Sequence, residues 1–362
     1  MNESAEAQTR RRGASRRRFL IAASALASSA VLGVACGTAQ LAPPGTPGAK
    51  PLKALTFMAG YQAQADVSFV GVYVAHDLGY FKTQGLDVTI KHSSGNGEHA
   101  KLLAAKQVQV ITETATSLVK NATGETPLPF ISLAVLTQTG DNALATLKSS
   151  GIDSPKKFEG KTVGYKIAPT FDYLAMLKEA KVDRSKIREI SVGFDVRILT
   201  AGKIDVLPVF KSNEPDLLRR MGFPVNVIDP ADYGIDVMGQ LWTTHRDLLA
   251  AEPDVYQRFV KAALKGLYYA FDNAKEATDI VMRYASTADR AHQEYMLSTE
   301  KESTLTAQTR QYGIGWQTVD QWSKLQDGFA SFGLIVKKVD PQTYFDDAIQ
   351  KSIYRNGTLI WP

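Results

Sequence analysis

Cysteine is almost absent from this chain of 362 residues, because Cys36 is the only one. A single cysteine excludes a disulfide bond within the chain. The sequence also lacks three motifs of common enzyme sites: the phosphate-binding loop, the dinucleotide-binding fingerprint and the Gly-x-Ser-x-Gly nucleophile elbow. His92 and His99 are seven residues apart across a glycine loop, and this spacing is not typical of metal ligands. We therefore predict a protein that is not an enzyme and needs no metal or cofactor.

Most of the chain also carries almost no net charge. The composition, 44% hydrophobic and 22% charged, is typical of a soluble globular protein. The formal net charge is +5, and the first 36 residues contribute +4 of it through six arginines and two glutamates. The remaining residues carry 36 basic and 35 acidic side chains. Such a near-neutral body offers no basic surface to the phosphates of DNA or RNA, so we expect no nucleic-acid partner.

A hydrophobic run long enough for a stable membrane span is lacking as well. The run FLIAASALASSAVLGVA has 17 residues and is rich in alanine and serine, whereas a span needs about 20 apolar residues. It follows the basic segment SRRR directly, and paired arginines ahead of Phe-Leu resemble a twin-arginine export signal. We predict that residues 1–35 are a signal peptide of this kind. A lone transmembrane anchor is the alternative.

Cys36 stands directly after this run, where the lipidated cysteine of a bacterial lipoprotein stands. The match is imperfect, because Leu32 is four residues before the cysteine and Gly33 occupies the usual leucine position. Residues 36–51 are rich in proline, glycine and alanine, which is typical of a flexible tether. We predict a palmitate-type lipid on Cys36 that holds the protein at the outer face of the cell membrane. An incidental cysteine near the cleavage site is the alternative.

The body alternates short β-branched or apolar runs with helical patterns, which predicts an α/β fold. In FVGVYVAHDLGYFKTQGLDVTI we expect a helix from Phe69 that ends at Leu78-Gly79, because glycine suits a left-handed helix end. The apolar spacing in PDVYQRFVKAALKGLYYAF predicts a long helix from Pro253. The segments predicted as strands are 52–58, 86–90, 107–112, 130–136, 143–148, 161–165, 189–192, 203–209 and 225–228.

Several segments in this order resemble one family. GVYVAHDLGYFKTQGLDV, the loop HSSGNGEHA, GIDSPKKFEGKTVGY, VGFDV with LTAGKIDV, DYGID and GIGWQTVDQW are similar to the thiamine-pyrimidine and sulfonate branch of the solute-binding proteins of ABC importers. The resemblance implies a two-lobed periplasmic-binding-protein-like type II fold with the ligand in a cleft. It places lobe I at 52–138 plus 236–362 and lobe II at 139–235, with crossings near 137–148 and 232–243. A hinged monomer that serves a permease subunit is implied.

The resemblance also implies which residues contact the ligand. In the first lobe they are Tyr61, Gln62, Phe69, Ser93, Ser94, Asn96, Glu98 and Glu113. From the first crossing and the second lobe they are Asn142, Tyr165, Thr170, Asp172, Phe194, Asp195, Asn213 and Glu214. Near the return crossing they are Tyr233 and Trp242. Glu98 departs from the Gly-Gly-Ser loop of the phosphate-binding members, and a carboxylate there disfavours a phosphorylated ligand.

The aromatic and amide-rich set of residues favours a flat heterocyclic vitamin, and riboflavin is the leading expectation. A thiamine pyrimidine precursor of the formylaminopyrimidine type and a small sulfonate stay open as alternatives. A pyrimidine synthase of the same fold is the enzymatic alternative, but the related fungal enzyme uses a cysteine-rich cluster that this chain lacks. A purely structural surface lipoprotein is the third possibility.

Overall fold

A computed structural model of the protein describes residues 51–166, 168–235 and 237–362. The predicted signal peptide, Cys36 and all of the tether except Pro51 lie outside these residues. Within the described ranges, no helix has the length and apolar character needed to cross a membrane.

The strands fall into one large sheet and a group of small ones. They are β1 Lys53–Ala59, β2 Leu86–His92, β3 Val110–Thr114, β4 Phe130–Val135, β5 Asn142–Leu147, β6 Thr162–Tyr165, β7 Arg188–Ser191, β8 Leu207–Phe210, β9 Val225–Ile228, β10 Gln240–His245, β11 Tyr354–Arg355 and β12 Thr358–Leu359. The large sheet has the order β2-β1-β3-β10-β4, in which β10 runs antiparallel to both neighbours. The second group consists of a three-stranded sheet with the order β8-β5-β9 and the parallel pair β6-β7. An isolated bridge between Val163 and Val206 connects the pair to the three-stranded sheet. β11 pairs with β12 alone.

The helices pack on both faces of the large sheet and on the second group of strands. They are α1 Val67–Asp77, α2 Tyr80–Thr83, α3 Glu98–Ala104, α4 Ala115–Thr123, α5 Phe171–Glu179, α6 Arg197–Thr200, α7 Glu214–Arg220, α8 Arg246–Ala251, α9 Pro253–Asp272, α10 Ala274–Tyr284, α11 Arg290–Thr304, α12 Ala307–Tyr312, α13 Val319–Ser331 and α14 Ala348–Ile353. Successive strand residues point to opposite faces, so Phe57 packs in the core with α1 and α9 and Met58 in the core with α4 and α13.

α1 begins at Val67, two residues before the predicted start, and ends next to the predicted Leu78-Gly79. Asp66 caps its N-terminus by accepting a hydrogen bond from the N–H of Ser68 at 2.8 Å. The helix ends at Asp77, and Gly79 follows with a φ of 75°, a left-handed conformation that glycine adopts without strain. The N-terminus of α1 and the end of β3 both border the cavity described below.

The predicted strands are all present, with shifts of a few residues, and 225–228 coincides with β9. The α/β prediction is therefore confirmed. β10 was missed, because the sequence assigned 232–243 to the return crossing, whereas Gln240–His245 forms a strand inside the large sheet. Tyr80 begins the four-residue helix α2, which the sequence analysis did not predict.

Candidate ligand-binding site

A cavity of about 410 Å³ lies where the ends of several elements meet. It is bordered by the loop after β1, the N-terminus of α1, the end of β3, the segment before β5, the start of α7 and one face of α11. Its lining residues are Gly60, Tyr61, Gln64, Asp66, Ser68, Phe69, Gly95, His99, Thr112, Glu113, Thr114, Ser117, Asp141, Asn142, Phe194, Phe210, Ser212, Asn213, Glu214, Leu217, Gly239, Gln240, Met296 and Glu300. Loops that follow strands of both sheet groups contribute, as ligand sites in open α/β sheets do.

Two aromatic rings from the two sheet groups meet at this cavity. Tyr61 follows β1 and Phe194 follows β7, and their ring centroids are 5.9 Å apart. Phe194 is 53% exposed, which is unusual for a phenylalanine. Lys166 lies 4.9 Å from the centre of the Phe194 ring and pairs with Glu214 at 2.6 Å. The two rings offer apolar faces for stacking against a flat ligand.

Buried carboxyl groups surround the N-terminus of α1. Glu300, on α11, accepts a hydrogen bond from the N–H of Val67 at 2.6 Å, beside the capping Asp66. Asp141 accepts hydrogen bonds from the N–H of Ser212 at 3.1 Å and from its hydroxyl group at 2.6 Å. Burial raises the pKa of Asp66 and of Glu300, and it raises the pKa of Asp141 to about 7, because desolvation disfavours the charged form. Asp66 and Asp141 raise the pKa of Glu300 further through charge repulsion.

Glu113, at the end of β3, is a further carboxyl group of the cavity. Its side chain is 8% exposed, and one of its carboxylate oxygens lies 4.0 Å from Nε2 of His99. Burial raises the pKa of Glu113 to about 7. The same desolvation lowers the pKa of His99, which favours its neutral form. This part of the wall therefore changes its charge near neutral pH.

Seven of the residues that the resemblance implied line this cavity. They are Tyr61, Phe69, Glu113, Asn142, Phe194, Asn213 and Glu214. Their role in binding stays a prediction.

Several polar groups of the loop from Ser93 to Glu98 already form hydrogen bonds within the protein. The N–H of Ser93 donates to the carbonyl oxygen of Ala59, and its hydroxyl accepts from the N–H of Gly95. The amide oxygen of Asn96 accepts from the N–H of Glu98. Gly95 is the residue of this loop that borders the cavity. Ser93, Ser94, Asn96 and Glu98 do not line the cavity, nor does Gln62, so the geometry does not support the ligand contacts expected of these residues.

Trp242 was expected near the ligand, but the structure places its side chain in the core. Its side chain is 0% exposed, packs edge-on against Phe259, and donates its ring N–H to the carbonyl oxygen of Ser68 at 2.8 Å. The position lies on β10 inside the sheet, so the ring belongs to the core.

Five residues expected from the second lobe also lie away from the cavity. Tyr233 packs against the core of that lobe, and Asp195 forms an exposed ion pair with Arg197 at 2.7 Å. Phe171, the first residue of α5, stacks on Phe329 of α13. The start of α5 therefore lies against α13. Thr170 and Asp172, the neighbours of Phe171, do not line the cavity. Tyr165, at the end of β6, does not line the cavity either.

Sequence reasoning missed three of the acidic residues of the site, Asp66, Asp141 and Glu300. Asp66 stands directly before the apolar run of α1, so its capping role was readable from the sequence. Asp141 and Glu300 carry no local signal, because only the fold brings them to Ser212 and Val67.

A protein-family comparison matches residues 66–277 to the family described as NMT1/THI5 like. The formylaminopyrimidine-binding protein of Halalkalibacterium halodurans is 26% identical over 237 residues, which cover 64% of this chain and 70% of that protein. The riboflavin-binding protein RibY of Chloroflexus aurantiacus is 25% identical over 289 residues, which cover 77% of this chain and 82% of that protein.

Solved structures of solute-binding proteins share the fold. The periplasmic aliphatic sulphonate binding protein SsuA from Escherichia coli superposes with a TM-score of 0.62 at 12% identity, over 80% of this chain and 91% of that one. The desulfurization enzyme DSZB superposes with a TM-score of 0.58 at 13% identity, over 83% and 98%. The two-lobed type II fold is thus confirmed, and the fold by itself admits both binding proteins and enzymes.

Proposed function

The chain belongs to the NMT1/THI5-like family, and on that premise we propose that it is the solute-binding protein of an ABC importer that captures riboflavin and delivers it to the permease. The observation that carries the proposal is the cavity between the two sheet groups, whose lining includes Tyr61 and Phe194 with their ring centroids 5.9 Å apart. The relatives are binding proteins, which supports a function without catalysis.

The binding motion follows from the division of the chain. We propose lobe I at 52–138 plus 236–362 and lobe II at 139–235, because β1–β4 and β10 share one sheet whereas β5–β9 form the second group. The ligand would then stabilise a closed arrangement, since only there do Tyr61 and Phe194 contact it together.

Riboflavin is preferred because RibY matches a larger share of both chains than the pyrimidine-binding relative does. The hydroxyl groups of riboflavin can donate hydrogen bonds to the carboxyl groups of the cavity. The same carboxyl groups accept the amino group of a formylaminopyrimidine equally well, which makes this compound the second candidate. A small sulfonate is disfavoured, because no lysine or arginine lines the cavity within the described part of the chain.

The experiment that tests the proposal is a titration of the full-length chain with riboflavin, monitored by flavin fluorescence. We expect quenching on binding, because the flavin stacks on Tyr61. Tyr61→Ala should lose the quenching, whereas Tyr61→Trp, which retains an electron-rich aromatic ring, should keep it. Tyr312→Ala, an exposed tyrosine outside this cavity, is the matched control.

A thermal-shift series completes the test with riboflavin, formylaminopyrimidine and taurine. A ligand at a hundred times its dissociation constant adds about 2.7 kcal/mol to the free energy of unfolding. The absence of a shift with all three would contradict the solute-binding proposal. A shift with the pyrimidine alone would select the second candidate.

We also propose that residues 1–35 export the protein and that a lipid on Cys36 anchors a monomer at the outer membrane face. The position of Cys36 directly after the apolar run supports this. Cells grown with a palmitate analogue should label the protein, and Cys36→Ser should abolish the label and release the protein from the membrane fraction. Labelling of the Cys36→Ser protein would contradict the anchor.

A further inference from the structure

Five carboxyl groups border the cavity, and their charge is poorly balanced. They belong to Asp66, Glu113, Asp141, Glu214 and Glu300. Glu214 pairs with Lys166, and Glu113 lies 4.0 Å from His99. Asp66, Asp141 and Glu300 form no salt bridge with any residue that the structure describes. We call these three residues the acidic floor.

The acidic floor is built into the fold. Asp66 is 9% exposed and is held by Ser68, and Glu300 is 2% exposed and is held by the N–H of Val67. Asp141 is held by both polar groups of Ser212. Because the N–H groups of the first turn of α1 stabilise negative charge, the carboxyl groups of Asp66 and Glu300 keep their positions. They cannot turn away from an incoming ligand without losing these bonds.

From this arrangement we infer that the cavity selects the unphosphorylated heterocycle, whose hydroxyl or amino groups donate hydrogen bonds to the acidic floor, and rejects the phosphate ester of the same heterocycle. The inference rests on the proposed function and narrows its ligand class. Asp66, Asp141 and Glu300 determine the specificity. Glu98, which the sequence suggested for this role, lies outside the cavity.

Charge repulsion is the physical reason. A phosphate monoester carries about 1.5 to 2 negative charges at neutral pH. Inside a cavity that excludes water, it would lie near three carboxyl groups, with no lysine or arginine among the described lining residues to balance it. Like charges brought together at an interface weaken binding by on the order of 100-fold or more. Burial first, and the neighbouring Asp66 and Asp141 second, raise the pKa of Glu300, so the floor already disfavours added negative charge.

The experiment compares two matched pairs of ligands on the full-length chain. Riboflavin and riboflavin 5′-phosphate share one fluorescent ring and are titrated by quenching. Formylaminopyrimidine and its phosphate ester are titrated by calorimetry. We expect the unphosphorylated member of the pair that binds to bind about 100-fold more tightly.

Variants assign the discrimination to the acidic floor. Glu300→Gln and Asp141→Asn each replace an ionisable carboxyl group with a neutral amide and keep an oxygen that accepts the same hydrogen bonds. Each should reduce the ratio of the two dissociation constants by about tenfold. Glu294→Gln, an exposed position on the same helix, should leave the ratio unchanged. The melting temperature of each variant checks that it is folded, and the two floor variants act as independent tests.

The outcomes separate this inference from the proposed function. Equal affinity for both members of a pair, or a ratio that neither floor variant changes, overturns the inference alone. If no member of either pair binds the wild-type protein, the proposed function fails and the inference fails with it.

Discussion

The imidazole ring of His292 lies 2.8 Å from the carboxylate of Asp216. His292 is on α11 and Asp216 is on α7, so this contact joins an element of the proposed lobe I to one of lobe II. The other ring nitrogen lies 3.0 Å from the amide oxygen of Asn213, which lines the cavity. Arg220 also donates to Asp216, at 2.5 Å. The His292 side chain therefore links the contact between the lobes to the cavity wall.

We expect His292→Ala to accelerate release of the ligand about tenfold. A hydrogen bond to a charged group contributes about 1.5–3 kcal/mol, and the variant removes the bond to Asp216 together with the support of Asn213. Stopped-flow fluorescence of riboflavin release measures the rate. Glu294→Gln is the matched control, because it changes an exposed side chain of the same helix that pairs with Arg290 and contacts neither Asp216 nor Asn213. A wild-type release rate in His292→Ala would refute this role.

Glu113→Gln should change how stability depends on pH. Burial raises the pKa of Glu113 to about 7 in the folded protein, whereas its ordinary value is 4.5. Between these values the folded state binds more protons than the unfolded state, so the free energy of unfolding falls as pH rises from about 4.5 to about 7.

Glutamine does not titrate, so the free energy of unfolding of the variant does not fall for this reason as the pH rises. It should be more stable than the wild type above about pH 7, by about 3 kcal/mol, and similar to it below about pH 4.5. Urea unfolding across the pH range measures the difference. Asp141, whose pKa is also about 7, keeps part of the slope in both proteins. Glu125→Gln, an exposed position, should behave like the wild type. Equal stability of Glu113→Gln and wild type at high pH would argue against the raised pKa.

Gly266→Ala should destabilise the packing of α9 on α1. A Cβ atom at position 266 would lie 2.1 Å from the carbonyl oxygen of Gly71, which belongs to the backbone and cannot rotate away. We expect a loss of about 2 kcal/mol in the free energy of unfolding, because overpacking outweighs the roughly 1 kcal/mol that alanine gains in helix propensity. Gly193→Ala is the control, since a Cβ atom there meets nothing within 4 Å. Equal urea midpoints for the two variants would show that the helices tolerate the methyl group.

Trp242→Phe should separate stability from binding. The variant leaves the carbonyl oxygen of Ser68 without the ring N–H of Trp242, which costs about 1–3 kcal/mol in a buried place. Riboflavin affinity should change less than about twofold, because the ring does not line the cavity. Urea unfolding and the fluorescence titration measure the two quantities on the same sample. A large loss of affinity at unchanged stability would restore Trp242 to the binding site.

The sequence by itself determined the α/β class, the order of most strands and the caps of α1, because these depend on periodicity and on residues such as Asp66 and Gly79 that act on their near neighbours. The resemblance to the family implied Tyr61, Phe194 and Asn213 as ligand contacts, and each lines the cavity just after the end of a strand.

Only the tertiary structure decided which residues meet across long stretches of chain. Glu300 reaches the N–H of Val67 over 233 positions, and His292 reaches Asp216 over 76, so no local pattern announces either contact. Trp242 shows the converse. Its sequence neighbourhood allowed a place in the cleft, but the register of β10 between β3 and β4 turned its ring into the core, because a strand sends alternate side chains to opposite faces.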